Sequence, residues 1–180
     1  MAIVLDARYH SSVIRRFYVH NFRCLENFEL PISGHSSILL IGNNGSGKTT
    51  VGLALEILQK IARGTNRVSN LVTERDLSRG RTDVPVRFEI EVELNSKIYE
   101  YVIAFDFPEG FKELRVREEK VAVGGQPIYT REHAQVHLAK AGKVQEKEAN
   151  FRIDWHLVAL PIVQEQSQKD PLFIFKQWLA

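Results

Sequence analysis

The sequence predicts an α/β fold in which a strand, a glycine-rich loop and a helix form the central unit. Three observations support it. Residues 37–41 are a short apolar run, typical of a buried strand. After the loop, residues 50–63 carry apolar side chains at helical spacing, and Gly64 follows as a helix cap. Further along, apolar and charged residues alternate on both sides of a tight turn at Asn95, which predicts an antiparallel hairpin. A mixed sheet is therefore expected.

The loop at residues 42–49 matches the phosphate-binding P-loop pattern G-x-x-x-x-G-K-[ST] in full. Its glycines let bare backbone approach a phosphate, and its N–H groups add to the positive end of the helix dipole. Lys48 is expected on the β and γ phosphates of ATP, and the Thr49 hydroxyl on Mg²⁺. The predicted nucleotide-binding residues are Gly42, Asn43, Asn44, Gly45, Ser46, Gly47, Lys48, Thr49 and Thr50.

Composition is that of an ordinary globular chain. At 180 residues with 44% hydrophobic content, it is long enough for one domain with a substantial core. The single Cys24 excludes a disulfide framework, and no apolar run approaches the length of a membrane span. Positions 1–7 are apolar but short and lack a basic leader, so no signal peptide is indicated. A cytoplasmic protein without a membrane partner is expected, and a net charge of +2 neither demands nor excludes nucleic acid.

The stretch at residues 19–28 lies about twenty residues ahead of the P-loop. Together the two segments resemble the opening of ABC-type ATPases, in the branch that holds RecF, the SMC proteins and the OLD-like ATPases. In that branch a strand ending N-F-[RK] precedes a G-x-N-G-[SA]-G-K-[ST]-[ST] loop, and both halves match here. The resemblance is close over residues 14–63 and holds only in outline beyond them. It implies a P-loop NTPase fold with an ABC-type head and makes Arg23 a candidate contact to the base or phosphates. The alternative for Arg23 is a solvated turn residue.

The resemblance divides the chain into a P-loop core at 1–66, an antiparallel β insertion at 84–158 and the start of a helical lobe at 159–180. The connector 64–83 mixes arginines with acidic residues, which favours a solvated loop over contact with a phosphate backbone. Hairpins are predicted around Gly124-Gly125 and around Ala141-Gly142. Asp170-Pro171 is expected to open a helix.

Two further segments have alternative interpretations. Residues 101–106 resemble a Walker B strand ending in a magnesium-binding Asp106, but Phe107 stands where ABC enzymes place a catalytic Glu, so a hairpin strand is favoured. Gln164 or Gln166 lies where the family places a glutamine that reaches Mg²⁺ and the attacking water. The alternative is a polar loop that happens to contain glutamines.

For function, the resemblance implies an ATPase head that hydrolyses ATP in a head-to-head homodimer, since the signature motif of one subunit completes the site of the other. No signature motif and no catalytic base appear, so the chain is expected to be an incomplete, N-terminal portion and a poor ATPase alone. DNA metabolism or phage defence, with DNA or an effector nuclease as partner, is the implied setting. Alternatives are a non-hydrolysing nucleotide-binding or dimerisation module and a self-contained P-loop kinase or GTPase using Asp106.

Overall fold

One antiparallel sheet and two α-helices organise the part of the chain that the structure describes. The structure is a computed structural model that describes residues 13–32, 35, 37–139 and 149–180. The strands are β1 (Val13–His20), β2 (Phe28–Pro31), β3 (Val86–Leu94), β4 (Lys97–Asp106), β5 (Arg115–Val123), β6 (Gln126–Glu132), β7 (Gln135–Leu138) and β8 (Ala149–Arg152). The helices are α1 (Lys48–Ala62) and α2 (Pro171–Leu179). Within the described residues the strands form a single eight-stranded sheet in the order β2-β1-β3-β4-β5-β6-β7-β8.

Two-residue turns set the hairpin registers. Asn95 and Ser96 both have positive φ, at 51° and 63°, and Gly124 and Gly125 lie at 57° and 77°. Consecutive positive φ values are characteristic of the type I′ turn, whose twist matches that of the flanking strands. Both predicted hairpins are therefore confirmed. A further tight turn at His133, with φ 50°, joins β6 to β7 and was not recognised from the sequence.

The core lies between the inner face of the sheet and the two helices. Along β3 the inward side chains are buried, and Phe88 makes edge-to-face contacts with Phe22 at 5.2 Å and with Phe105 at 6.4 Å between ring centroids. α1 contributes one buried stripe, formed by Val51, Ala54, Ile57, Leu58 and Ile61. In α2, Phe175 stacks on Tyr99 of the sheet at 6.0 Å. Both helices are thus fixed by the same core, which positions the loop that precedes α1.

The helix boundaries follow from local chemistry. α1 starts at Lys48, two positions before the predicted start, and Gly64 at φ 107° ends it as expected. The N–H groups of Gly64 and Thr65 donate to the carbonyls of Ile61 and Lys60, which is a Schellman motif. In α2 the Asp170 side chain accepts from the N–H of Leu172 at 2.8 Å, so the predicted Asp-Pro start is confirmed.

The strand predicted over residues 37–41 is not formed. These residues have no regular structure, and Leu39 and Ile41 are 66% and 86% exposed. A strand needs hydrogen-bonding neighbours, and none of the described strands lies beside this segment. The sheet is accordingly antiparallel throughout its described strands, and the predicted mixed sheet is wrong for this structure. Positive φ at Arg23 and Asn27 turns the chain ahead of β2, which begins only at Phe28.

The connector at residues 64–83 is more ordered than the solvated loop that its composition predicts. It contains three short 3-10 turns, at Val68–Asn70, Glu74–Asp76 and Ser78–Gly80. Its apolar side chains are buried in the core, namely Val68, Leu71, Val72 and Leu77. Most of its charged side chains are exposed, as predicted, but the Asp76 side chain is only 15% exposed and pairs with Arg23. The connector therefore packs against the core and against the turn that follows β1.

Two predictions fall outside the described residues: the apolar run at positions 1–7 and the turn at Ala141-Gly142. The strand that follows this turn is described from Ala149 onwards, as β8. Neither helix in the described part of the chain is long and apolar enough to cross a membrane.

Candidate nucleotide-binding site

The P-loop is an open turn leading into α1. Gly45 and Gly47 have φ of 84° and 90°, values that favour glycine, and Gly47 is the N-cap of α1 without a side-chain capping bond. The N–H of Ser46 donates to the Asn43 carbonyl at 3.2 Å. No acidic residue occupies the first turn of α1. The N–H groups at this helix end therefore face an uncapped position with the positive end of the dipole, which suits an anion.

Lys48 folds back over this loop. Its Nζ donates to the carbonyl oxygens of Gly42 at 2.6 Å and Asn43 at 2.7 Å, and lies 3.3 Å from the Ser46 hydroxyl. A Cβ placed on Gly42 would lie 2.7 Å from that hydroxyl oxygen, so the loop closes tightly at its first glycine. The ammonium group is held within the loop, on the same side as the helix end.

The turn after β1 forms the floor beneath the P-loop. A Cβ built on Gly47 would lie 3.2 Å from Cys24 Sγ and 3.4 Å from the Leu25 side chain. Cys24 Sγ is also 3.4 Å from the hydroxyl of Thr50. Gly47 therefore allows a close approach as well as a positive φ. The two segments in which the sequence resemblance was recognised are thus in direct contact.

Thr49 and Thr50 differ in their surroundings. Thr49 is exposed at the helix start, whereas Thr50 is half-buried against Cys24. An exposed hydroxyl beside an uncapped helix end fits a magnesium ion carried by a polyphosphate. Among the described residues there is no group of three or more His, Cys, Asp or Glu side chains that could hold a metal by itself. Any magnesium at Thr49 would depend on phosphate oxygens and water for its remaining ligands.

Arg23 is engaged by the connector. Its Nε donates to Asp76 Oδ1 at 2.9 Å, its backbone N–H donates to the Asp76 carbonyl, and its guanidinium lies 5.5 Å from the centre of the Phe22 ring. The side chain remains 47% exposed. Sequence reasoning did not anticipate Asp76 as a partner. Neither of the two predicted roles of Arg23 includes this ion pair, and contact with a nucleotide stays a prediction.

Asn21 ties the connector to the end of β1. It is 1% exposed, its amide donates to the carbonyls of Arg81 and Val84, and its Oδ1 accepts from the N–H of Ser78. This buried amide explains the asparagine of the N-F-R segment: it fixes the connector, and through it Asp76 and Arg23, next to the P-loop floor.

The two glutamine candidates lie on the loop before α2, and both are exposed. The Gln166 N–H donates to Asp170 Oδ2 at 2.9 Å. Lys176 holds the start of this loop by donating to the Val163 carbonyl and to Glu165, each at 2.6 Å. No hydrogen bond within the described residues joins Gln164 or Gln166 to the P-loop.

Asp106 ends β4 and belongs to the hairpin. Arg115 donates to both of its carboxylate oxygens, at 2.9 Å and 3.2 Å, across the antiparallel β4–β5 pair. A carboxylate held this way by an arginine is not positioned as a free magnesium ligand. The hairpin interpretation of residues 101–106 is confirmed by this strand pairing.

A buried charge cluster, which sequence reasoning missed, fixes the segment that leads to α2. Glu119 is 1% exposed and accepts hydrogen bonds from the Tyr101 and Tyr129 hydroxyls and from the N–H groups of Ala159 and Leu160. Burial, reinforced by the Glu119 charge, raises the pKa of both tyrosines well above the ordinary value. The tyrosines therefore stay protonated and keep donating to the carboxylate.

A glycine loop that closes on its own lysine, at the uncapped start of a helix with one buried face, is the arrangement of a P-loop NTPase fold. The family model of the AAA ATPase domain matches residues 13–168, most of the chain, so the chain belongs to this family of ATPase domains. It is also similar to the OLD nuclease of Thermus scotoductus (strain ATCC 700910 / SA-01), with 41% identity over 46 residues. That match covers 26% of this chain and 8% of the relative. The resemblance to OLD-like and RecF-like ATPases is thereby confirmed.

Proposed function

We propose that this chain binds Mg·ATP through residues 42–50, with Lys48 and the α1 N-terminus holding the phosphates. The single observation that carries the proposal is the position of Lys48, whose ammonium lies 2.6–2.7 Å from two loop carbonyls at an uncapped helix end. An incoming polyphosphate exchanges those neutral carbonyl acceptors for charged oxygens, which are stronger partners for an ammonium. The proposed ligands are the N–H groups of the loop for phosphate and the Thr49 hydroxyl for magnesium.

The test compares two lysines of the same helix. Lys48→Ala is expected to weaken binding of a fluorescent ATP analogue at least about tenfold, the loss of one charge-assisted contact. Lys60→Ala removes an exposed lysine whose partner is Glu56 on the same helix, and should leave affinity within about twofold. Equal affinity of wild type and Lys48→Ala, with both proteins folded, would contradict the proposal.

For the longer protein we propose ATP hydrolysis in a nucleotide-driven, head-to-head homodimer, with this chain as the N-terminal portion of the head. Hydrolysis needs a group that orients water and a charge opposite the γ-phosphate. Gln164 or Gln166 is the candidate for the first role, and Arg23 is a candidate contact to the nucleotide once it leaves Asp76. The second role falls to a partner subunit. Measuring the molar mass with and without a slowly hydrolysed ATP analogue tests the dimer.

The setting we propose is DNA metabolism or phage defence, in partnership with a nuclease that is fused or separate. The support is the similarity to a relative named OLD nuclease together with membership of the ATPase family. The proposal predicts that DNA or the nuclease changes the ATPase rate of the longer protein. An unchanged rate with both partners present would count against this setting.

A non-hydrolysing nucleotide-binding module remains the second candidate, favoured by one observation. Asp106, the acidic residue nearest in pattern to a Walker B aspartate, is held by Arg115 across the β4–β5 hairpin. Single-turnover ATP hydrolysis separates the two functions, because phosphate release that disappears in Lys48→Ala excludes the module. The Asp106–Arg115 ion pair also disfavours a self-contained kinase or GTPase, because such an enzyme would use Asp106 to bind magnesium. In that case Asp106→Ala should abolish the affinity for Mg-nucleotide.

A further inference from the structure

The P-loop contains the one asparagine-glycine pair of this chain, Asn44-Gly45. In such a pair the backbone nitrogen of the glycine can attack the side-chain amide of the asparagine, because glycine has no Cβ to hinder the approach. The same pair is the centre of an exposed turn, which is closed by the bond from the Ser46 N–H to the Asn43 carbonyl at 3.2 Å. The reacting atoms therefore lie at the surface of the predicted nucleotide site.

Neither reacting group of this pair is engaged elsewhere. Among the described residues no hydrogen bond involves the Gly45 N–H or the Asn44 side-chain amide. A Cβ built on Gly45 would have no atom within 4 Å, so the space around its backbone is open. The asparagine side chain can turn towards the following nitrogen without displacing a neighbour. Neither a competing bond nor packing opposes the attack.

The electrostatics of the loop favour the attacking form of the nitrogen. A backbone N–H must lose its proton before the nitrogen attacks, and nearby positive charge stabilises the resulting anion. The Lys48 ammonium lies 2.7 Å from the Asn43 carbonyl, and α1 begins at Lys48 with no acidic residue in its first turn. No Asp or Glu occurs between Glu29 and Glu56 in the sequence. The positive field that suits a phosphate therefore also promotes loss of the N–H proton.

The turn at Asn95-Ser96 provides an internal comparison. Its asparagine is also exposed and also lies at the centre of a turn. The residue that follows is Ser96, whose Cβ hinders the attack, and the flanking Leu94↔Lys97 pair fixes the turn in the β3–β4 hairpin. Exposure is thus common to the two asparagines, whereas an unhindered nitrogen and a positive surrounding field occur together only at Asn44.

We propose that Asn44 is a self-modification site, which the nucleotide-free loop converts to aspartate or isoaspartate. The Gly45 nitrogen, having given up its proton, forms a bond to Asn44 Cγ, and the C–N bond of the side-chain amide breaks to release ammonia. Water then opens the cyclic imide. Cleavage of the new Cγ–N bond gives aspartate, whereas cleavage between that nitrogen and the main-chain carbonyl carbon of Asn44 gives isoaspartate. Water is the only other reactant.

Bound nucleotide should suppress this reaction, a consequence that rests on the proposed ATP binding. A phosphate that accepts hydrogen bonds from the loop N–H groups occupies the attacking nitrogen, and its negative charge opposes loss of the proton. Conversely, either product places a carboxylate where the loop would hold phosphate, and isoaspartate also adds a carbon to the main chain. The loop therefore inactivates itself only while it is empty.

The experiment follows the mass and the isoaspartate content of the loop after incubation of the full chain in mildly alkaline buffer without nucleotide. Asn44 should be modified at least about tenfold faster than Asn95 in the same sample. A synthetic peptide of residues 41–50 gives the rate of an unfolded loop, and the folded chain should react no more than about threefold slower. A larger difference would overturn the proposal, because the fold would then protect Asn44.

Two variants test the assigned chemistry. Gly45→Ala should slow the modification at least about tenfold, because its Cβ hinders the attacking nitrogen. Asn44→Gln should show almost no modification at this position, since the longer side chain would have to close a larger ring. An unchanged rate in Gly45→Ala would overturn the proposal. Circular dichroism checks the folding of both variants, and Asn44→Gln, which alters an exposed side chain, keeps the test valid if Gly45→Ala unfolds.

A further arm separates this proposal from ATP binding itself. Mg·ATP at about ten times its dissociation constant should slow the modification about tenfold, since only the empty loop reacts. Lys60→Ala should retain that protection, whereas Lys48→Ala should lose most of it at the same ATP concentration. Fresh protein that fails to bind the fluorescent ATP analogue would contradict the proposed function alone, because modification of the empty loop is still measured. Analogue binding without protection would overturn the suppression by nucleotide.

Loss of binding on ageing completes the test. Wild-type protein aged without nucleotide should lose binding of the fluorescent ATP analogue in proportion to the modified fraction. Asn44→Gln aged in the same way should keep the affinity with which it started. Full binding by wild type after most of Asn44 has been modified would overturn the inactivating effect.

Discussion

The Glu119 carboxylate and the Arg131 guanidinium lie 3.7 Å apart, and neither side chain has any exposed surface. Each satisfies backbone groups of the segment before α2: Glu119 accepts from two N–H groups, and Arg131 donates to the carbonyls of Asp154 and Leu157. One ion pair therefore joins strands β5 and β6 to the chain that covers them. The interior of the sheet determines the course of a segment that has no regular structure of its own.

Removing one member of this pair should be severely destabilising. Glu119→Ala leaves Arg131 buried without its counter-charge and leaves the N–H groups of Ala159 and Leu160 unsatisfied. We expect a loss of about 3–5 kcal/mol in the free energy of unfolding, measured by urea denaturation. Glu100→Ala breaks the 3.4 Å pair with Lys120, which is partly exposed, and should cost less than about 1 kcal/mol. Similar losses for both variants would contradict the assigned role.

Stability should fall in alkaline solution because of Tyr101 and Tyr129. Their folded-state pKa values are raised well above the ordinary 10.0, chiefly by burial, so they hold their protons while the unfolded chain releases them. Stability from both groups is fully present below pH 10 and is lost as the pH rises above it. Each tyrosine contributes a slope of about 1.4 kcal/mol per pH unit.

Urea denaturation at several values between about pH 9 and 11 measures that slope. The double variant Tyr101→Phe/Tyr129→Phe loses two hydrogen bonds to Glu119 and should be less stable at neutral pH. Its stability should nevertheless fall less steeply above pH 10, because its unfolding should release about two fewer protons than that of wild type. An unchanged slope in the double variant would show that other groups dominate the alkaline transition.

The P-loop glycines should differ in their tolerance of a methyl group. Gly47→Ala combines a positive φ with a Cβ that would lie 3.2 Å from Cys24 Sγ, whereas Gly45→Ala has a positive φ and no atom within 4 Å of the added Cβ. Both variants incur backbone strain of about 1 kcal/mol, and only Gly47→Ala adds steric crowding. Its melting temperature should therefore fall further.

A second substitution tests the cause of that difference. Cys24→Ala in the Gly47→Ala background removes the sulfur and should recover part of the lost stability. In the Gly45→Ala background the same substitution should recover none, because no atom lies within 4 Å of the Cβ added at Gly45. Thermal unfolding of wild type and the five variants, without nucleotide, gives all the values on one scale. Additive effects of Cys24→Ala and Gly47→Ala would mean that the contact at the floor of the loop is unimportant.

Asn21 should be far more sensitive than Asn27 to the same substitution. Both have positive φ, at 54° and 52°. Asn21→Asp places a carboxylate against the carbonyls of Arg81 and Val84 in a buried site, with an expected cost of at least about 2 kcal/mol. Asn27→Asp keeps the exposed acceptor for the Tyr18 hydroxyl and should change stability by less than about 0.5 kcal/mol. Chemical denaturation of the two variants makes the comparison, and equal stabilities would argue against the role of Asn21.

Short-range patterns predicted much of this molecule. The Asn95-Ser96 and Gly124-Gly125 turns, the Asp170 cap and the Gly64 helix end were found because each is encoded by a few neighbouring residues. The turn at His133 was missed, because histidine is an uncommon turn residue and its carbonyl is bound by Arg131, a contact that the local sequence does not show. Glu119 was missed for a related reason: in the sequence it is one of several charged residues of a strand, and only its position in the sheet shows that it is buried.

The sequence alone determined the phosphate loop, because glycines at 42, 45 and 47 followed by Lys48 and a helical pattern specify a local geometry. Only the tertiary structure decided what surrounds it. The apolar run at 37–41 has the composition of a strand, yet it pairs with none of the described strands and has no regular structure, with Leu39 and Ile41 exposed. Whether an apolar run becomes a strand depends on partners distant in the sequence. The same long-range packing brought Cys24 under Gly47 and Asp76 to Arg23.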